Sequence, residues 1–365
     1  MTTILILTGK FGNGHISVSN TLAEKIKKMN REANVIIEDV FESITPRQSQ
    51  LIYDSFSLLV NKGSKVYNLF YLGTQKSREA TLLHSLIRPF TGRIHEMIES
   101  VRPDVVISTM PISSQMFSVY KGEYSCNVPL ITCITDISSH PYWLSDMTNA
   151  YLVGSDDVKQ ELVAKGVHPK RIFVIGIPVK EAFKKQVQKS EGPDKHLLIM
   201  GGGLGLLPGS VRFYEELNRL PQVKTTIITG NNKKLYEKLH GKYENIEVLG
   251  YSDRISDFMK QADLMVTKPG GITMFEAIES ELPLLVFRPF LQQEVDNAKF
   301  LYANNLGSVL PKRNRGYVRS IQALLENEPR LNEMRRSMCR MKESLNDNLL
   351  ADVLSRCMRK EASAS

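Results

Sequence analysis

Short, uninterrupted apolar runs recur along this chain, each closing in a turn and followed by a stretch with helical spacing. TILILTG (3–9), NVIIEDV (34–40), PDVVISTMP (103–111), VPLITCITD (128–136), AYLVGS (150–155) and RIFVIGIPV (171–179) form one series. KHLLIMGGG (195–203), VKTTIITG (223–230), NIEVLG (245–250), ADLMVTK (262–268) and LPLLVFR (282–288) form a second. A strand with one wet face alternates apolar and polar residues. Continuous Val/Ile/Leu runs instead suit parallel strands covered by helices on both faces. HISVSNTLAEKIKKM (15–29) and TGRIHEMIESV (91–101) are such helices, the first with Ile16, Leu22 and Ile26 on or near one side. At 365 residues the chain is too long for one core. The pattern therefore predicts an α/β protein of two doubly wound domains facing a central cleft, joined by the polar stretch 180–194.

Composition narrows the function classes. Cys126, Cys133, Cys339 and Cys357 are scattered without metal-ligand spacing, as a reducing compartment leaves them. The opening residues lack the pattern of a signal peptide, and no apolar run approaches the roughly 18 residues needed to cross a bilayer. The expectation is a cytoplasmic protein, free or lying on a membrane. A net charge of +8 favours polyanionic surfaces, nucleic acid or anionic lipid.

Three glycine-rich turns follow strands: GKFGNGH (9–15), GGGLGLLPGS (201–210) and KPGGIT (268–273). In a parallel sheet, ligands sit outside the carboxyl ends of the strands, where helix N-termini aim N–H groups at phosphate. Glycine lets the backbone approach closely. No turn is a Walker loop or a GxGxxG, which disfavours ATP hydrolysis and nicotinamide chemistry. In TKPGGITMFEA (267–277), Gly270 and Gly271 would let a diphosphate lie against a helix start. Glu276, in the early turns of that helix, suits bidentate acceptance from a ribose diol, or else only dipole stabilisation. Gln293 and Glu294, where FLQQEVDNAKFL (290–301) opens, offer the amide and carboxylate that a hexose requires, with Asn297 a turn further on. Asp156 and Asp157 in GSDDVK open a helix, so capping is the job expected of them, not metal binding.

TKPGGITMFEA, LPLLVFRP and QEVDNA together resemble the donor-site signature of the diacylglycerol glycosyltransferases of glycosyltransferase family 28. FGNGH, TDISSHPYW (135–143), YLVGSDDVKQELVAKGVHPKRIFVIGIPV (151–179) and GGGLG (201–205) match the same family in order. The resemblance implies a GT-B fold, metal-independent and without a cofactor, with a UDP-sugar as substrate. Residues 1–179 would form a membrane-facing domain for the lipid acceptor, and 195–340 the UDP-sugar domain. The run 341–365 would return to the N-terminal domain, its EASAS end frayed. By position, Glu276 would hold the ribose; Gly270, Gly271 and Thr273 would border the diphosphate; Gln293 and Glu294 would face the donor sugar. Gly201, Gly202 and Gly203 would line the other side of that pocket. His15 matches the family's candidate general base, with Gly12, Asn13 and Gly14 beside it. Asp136 and His140 match an element bordering the acceptor. One departure stands out: Leu291-Gln292 replaces the family's Pro-Gly before the Gln-Glu pair, implying a looser loop and exposing the sugar preference to change.

The resemblance implies inverting transfer of glucose from UDP-glucose to diacylglycerol. UDP-galactose, UDP-N-acetylglucosamine, another lipid, or a non-catalytic UDP-sugar sensor are the alternatives. Segment 41–90 stands outside the strand–helix alternation. Its LIYDSFSLLVNKGSKVYNLFYLG, with Lys62 and Lys65 and the later Arg88 and Arg93, suits an anionic membrane surface, or else an ordinary packed helical pair. No stacking-aromatic module for nucleic acid is present.

Overall fold

The computed structural model describes residues 1–62, 68, 80–184, 192–289, 291–346 and 348–362. The chain divides into two compact units: Met1–Pro178 with Leu345–Ser365, and Val179–Ser344.

The first unit is built on strands β1 (Thr3–Thr8), β2 (Asn34–Asp39), β3 (Val105–Ser108), β4 (Leu130–Cys133), β5 (Thr148–Val153) and β6 (Ile172–Val174). They pair in the order β2-β1-β3-β4-β5-β6, all parallel. Leu5 of β1 lies between Ile36 and Val106, and Ile4 through Leu7 are buried because helices cover both faces. The helix Asn13–Met29 carries the chain from β1 to β2 and buries Val18, Leu22 and Ile26, a four-residue spacing that keeps one face inward. The helix Leu349–Ala362 also belongs to this unit. Its Leu350, Val353, Leu354 and Cys357 are buried, and the Arg356 guanidinium lies 5.6 Å from the Phe173 ring centre. Residues 363–365 of the expected frayed end lie outside the described residues.

The second unit holds β7 (Lys195–Met200), β8 (Val223–Ile228), β9 (Ile246–Leu249), β10 (Leu264–Thr267), β11 (Leu284–Val286) and β12 (Gly307–Val309), in the order β12-β11-β10-β7-β8-β9, again all parallel. Leu197, Ile199 and Val266 of the sheet pack with Tyr214, Leu217 and Leu239 of the covering helices. Strand β12 escapes the apolar pattern, being three residues long and opening with glycine. The glycine is required there, since a Cβ on Gly307 would stand 2.2 Å from the Leu284 carbonyl oxygen.

Two local expectations change. The stretch 180–194 opens with a helix, Glu181–Lys184, whose Phe183 is buried within the second unit; residues 185–191 lie outside the described residues. The helix Asp156–Ala164 is capped by Ser155, whose Oγ accepts from the Val158 N–H at 3.4 Å. Asp156 and Asp157 occupy its first turn and favour the helix dipole without capping it.

After β7 the chain makes a tight loop in which Gly205 has φ +62°, and a Cβ there would meet the Thr229 carbonyl oxygen at 1.9 Å. Gly205→Ala is expected to cost more than about 2 kcal/mol, read as a lower urea midpoint. Gly209→Ala, with open space around its Cβ position, is the control and should stay within about 0.5 kcal/mol of the parent.

Candidate active site

In the first unit β1 stands at the topological switch, flanked by β2 and β3. The chain leaves it through Gly9–Gly12, Gly12 taking φ +113°, and enters the helix at Asn13 with no side-chain cap. Gly14 and His15 follow in the first turn. His15 Nδ1 lies 2.8 Å from the carbonyl oxygen of Thr109, just beyond β3. A carbonyl only accepts, so Nδ1 carries the proton and Nε2 keeps a lone pair. The Thr135 hydroxyl sits 3.1 Å from the same nitrogen. Behind the ring, Ser19 Oγ donates to the His15 carbonyl at 2.9 Å and lies 2.9 Å from Thr109 Oγ1, which donates to Thr8 Oγ1 at 3.0 Å. Thr8, Ser19 and Thr109 are buried, so these bonds hold the first turn of the helix to the ends of both strands. Burial pushes His15 below the usual 6.5, against the Asp136 charge and the Thr109 carbonyl, which pull it up. The imidazole is therefore neutral at neutral pH.

Asp136 follows Thr135 in the loop after β4, and its charge reaches His15. His140, in the same loop, is buried. Its Nδ1 accepts from the Tyr142 N–H at 3.2 Å and its ring lies edge-on to Tyr142. That leaves the His140 proton on Nε2 and gives the residue a capping role over Pro141–Trp143. Lys165 Nζ secures the loop by donating to the carbonyl and hydroxyl oxygens of Ser139.

In the second unit the switch falls between β7 and β10, and both glycine loops leave there. The helix Gly271–Glu279 starts from Gly270 with no side-chain cap. Met274 N–H bonds to the Gly270 carbonyl at 3.0 Å, so the N–H groups of Gly271, Ile272 and Thr273 have no partner within the helix. In the other loop, Gly205 N–H bonds to the Gly202 carbonyl and Leu206 N–H to that of Gly201, while the Gly203 carbonyl takes the Asn231 N–H. Gly202 has φ +68°, and a Cβ there would meet Lys268 Cε at 2.9 Å. Lys268 thus joins the two loops. Its Nζ lies 3.1 Å from Glu294 Oε1.

Glu294 opens the helix Gln292–Ala303 and is only 3% exposed. Its Oε2 is buried and has no hydrogen-bond partner among the described residues. Asn297 Nδ2, one turn on, donates to the Pro269 carbonyl at 2.9 Å, tying this helix to the KPGG turn. Lys268, Pro269, Phe287, Arg288 and Glu294 line a cavity of roughly 200 Å³. Gln293 is half-buried in the same first turn but does not line that cavity, and neither do Gly270, Gly271, Thr273 or Glu276. Glu276 is half-buried, and desolvation pushes its carboxyl up to about 8, with Lys180 pulling the other way. Lys268 and Arg288 were not anticipated; a lysine directly before a glycine turn and an arginine closing a strand were the signals. Among the described residues no group of three or more His, Cys, Asp or Glu is gathered as a metal site.

Comparison with known proteins agrees across both units. Residues 15–179 match the monogalactosyldiacylglycerol synthase family, and residues 196–349 match the glycosyltransferase family 28 C-terminal domain. The chain is a glycosyltransferase, and its residues 196–349 carry the family 28 C-terminal domain. The processive diacylglycerol beta-glucosyltransferase of Bacillus licheniformis is 29% identical to this glycosyltransferase over 347 residues, covering 92% of this chain and 90% of the relative. MurG of Acinetobacter baumannii superposes with a TM-score of 0.65 at 13% identity, covering 98% of this chain and 100% of that one. The calicheamicin glycosyltransferase CalG4 gives 0.66 at 14%, with 99% of each chain covered. At such identities these two show the fold, which is GT-B.

The Glu276 environment predicts a pH-dependent stability for the transferase. Its folded value, about 8, lies above the ordinary 4.5, so the unfolded chain ionises first as pH rises. Stability contributed by the neutral carboxyl is complete below 4.5 and is lost through about 8. Glu276→Gln should flatten that slope and melt higher than the parent above pH 8, as followed by thermal unfolding across pH.

Proposed function

We propose that this glycosyltransferase moves glucose from UDP-glucose to the hydroxyl of diacylglycerol at a membrane surface, with inversion and without a metal. The observation that carries the reading is the match of one continuous chain to a monogalactosyldiacylglycerol synthase domain and a family 28 donor domain, alongside full-length relatives named diacylglycerol glucosyltransferases.

In this reading His15 Nε2 takes the acceptor proton as the acceptor oxygen bonds to the anomeric carbon. The bond from that carbon to the diphosphate breaks, and UDP leaves. A neutral imidazole with its proton fixed on Nδ1 suits that task, and the low value set by burial keeps it unprotonated. Asp136 supports the imidazolium that forms. Gly12, Asn13, Gly14 and His140 border the acceptor. The unpaired N–H groups at Gly271, Ile272 and Thr273, with Gly201–Gly203 and Lys268, stabilise the departing diphosphate. Glu276, protonated below about 8, meets the ribose diol by accepting from one hydroxyl and donating to the other, while Gln293 and the unpartnered Oε2 of Glu294 receive hexose hydroxyls.

Leu51 on the helix Ser49–Lys62 is 68% exposed, and Leu86 on the helix Ala80–Ile87 is 63% exposed. Arg88, paired with Glu123, and exposed Arg93 lie next in the chain. Apolar side chains among basic ones suit insertion into an anionic lipid surface. Lys65 and most of the aromatic run 63–79 lie outside the described residues. Among the described residues no helix is long and apolar enough to cross a membrane.

Incubation with diacylglycerol in anionic liposomes and each of UDP-glucose, UDP-galactose and UDP-N-acetylglucosamine tests the assignment by mass spectrometry. A hexosyl lipid from UDP-glucose is expected, and His15→Ala should lower kcat about 10²–10⁴-fold while UDP binding persists. Binding of UDP-glucose with no lipid product would sink the acceptor assignment. The acid limb of kcat/KM should fall below pH 6.5. Asp136→Asn removes a charge that raises His15, so it should move that limb to still lower pH; an unmoved limb would separate Asp136 from the base.

A further inference from the structure

Segment 41–90, which the strand–helix alternation does not account for, sends Phe41, Glu42 and Tyr53 to the base of the His15 loop, Phe41 and Tyr53 against Phe11 and Glu42 onto the Lys10 ammonium. Tyr53 lies near the start of the helix Ser49–Lys62. Its hydroxyl donates to Asp39 Oδ1 at 2.5 Å, with the backbone of Lys10 beside it. Burial and the neighbouring carboxylate push the phenol above its ordinary value, so it remains a neutral donor. Asp39 closes β2, and its Oδ1 also accepts from the N–H groups of Phe41 and Glu42, which fixes it at the sheet edge.

The ring of Tyr53 meets Phe11 at 4.9 Å between centres, and Phe41 meets Phe11 at 5.2 Å, both edge to face. A Cβ on Gly9 would stand 3.4 Å from the Tyr53 hydroxyl and 2.8 Å from Met110 Cε. Gly9, Lys10 and Phe11 are thus each held against Tyr53 or its neighbours. Four residues later the same backbone delivers His15.

We propose that Tyr53 is a positioning residue that fixes the Gly9–Gly14 loop, and through it the placement of His15. The proposal rests on the transferase reading above. Its geometry explains why the helix is attached where it is: the half-buried phenol stands between the exits of β1 and β2, and the ring clamps the one aromatic residue in the loop. Thr109 fixes His15 from the far side of the helix start. Losing the Tyr53 clamp leaves that bond in place but frees the residues leading to it, and displacement of a catalytic group by about 1 Å can cost about 10²-fold in rate.

The test compares Tyr53→Ala, which removes ring and hydroxyl, with Tyr53→Phe, which keeps the ring and loses only the hydroxyl. Amide hydrogen exchange over residues 8–14, the titration of His15 by NMR, and kcat and KM are measured on the full chain. Tyr53→Ala should speed exchange in that loop, shift the His15 titration, and lower kcat at least about tenfold, with KM for UDP-glucose within about twofold. Tyr53→Phe should recover most of kcat. Unchanged loop exchange, or faster exchange with an unmoved His15 titration, overturns the proposal. If the parent protein makes no glycolipid, the transferase reading fails, while exchange and titration still decide whether Tyr53 places His15.

Discussion

Parallel pairing brings every strand of a sheet to its carboxyl end at one edge, and both sheets here are wholly parallel. All loops that lead into helices are therefore gathered on that edge. Where neighbouring strands continue in opposite directions, the helices part and leave room between their starts. In the first unit this happens around β1, and the residues that meet there are His15, Thr109 and Thr135. In the second it happens between β7 and β10, and the residues that meet are Gly202, Lys268 and the helix start at Gly270. The chemistry of each unit follows from which side chains its switch point collects.

The two edges differ in their electrostatics. In the first unit the key side chain is kept neutral: burial opposes charge on His15, and the Thr109 carbonyl, with the Thr135 hydroxyl beside it, settles which nitrogen holds the proton. In the second unit an ion pair stands beside the glycine loops, while desolvation holds Glu276 neutral below about 8. Lys268 and Glu294 form a pair in which the carboxylate is almost wholly buried while the lysine is a third exposed, so losing the lysine, which strands the buried carboxylate, is the costlier change. Glu294 nonetheless satisfies only one oxygen this way. An unmet acceptor in the buried wall of a cavity costs about 1–3 kcal/mol until a donor arrives, which favours a hydroxyl-bearing ligand over an apolar one.

The strand order itself was not legible in the sequence, but the elements were, because continuous apolar runs and glycine turns are local signals. β12 lacked that signal: three residues opening with glycine carry little β propensity, and tertiary contact with Leu284 creates the strand. The cap of the helix Asp156–Ala164 was displaced by one residue because two aspartates and a serine compete for the position, and only the backbone of Ser155, extended at φ −154° and ψ 163°, settles it. At the site, residues marked by type and motif, such as His15 and Glu294, stood out. Lys268 did not, since its role comes from neighbours in the loop after β7 and in the helix Gln292–Ala303 that adjacency in sequence does not reveal. Tyr53 was hidden for the same reason.

The Leu291-Gln292 pair shows how one geometry can rest on different physics. A Pro-Gly pair restricts a loop through backbone dihedrals. Leu291 restricts it by burial: it takes the N-cap position of the helix Gln292–Ala303 in an extended conformation, is 4% exposed, and its carbonyl accepts the Glu294 N–H at 3.1 Å. It offers no side-chain oxygen to the helix start, so the first turn depends on the leucine staying buried. The Asn297 bond to the Pro269 carbonyl then ties that turn to the KPGG loop from the other side. Burial of Leu291 and the Asn297 bond thus hold the start of the helix where the family's Pro-Gly would stand. Its rigidity is shared with the core beneath it, and the placement of Gln293 and Glu294 depends on packing as much as on local backbone.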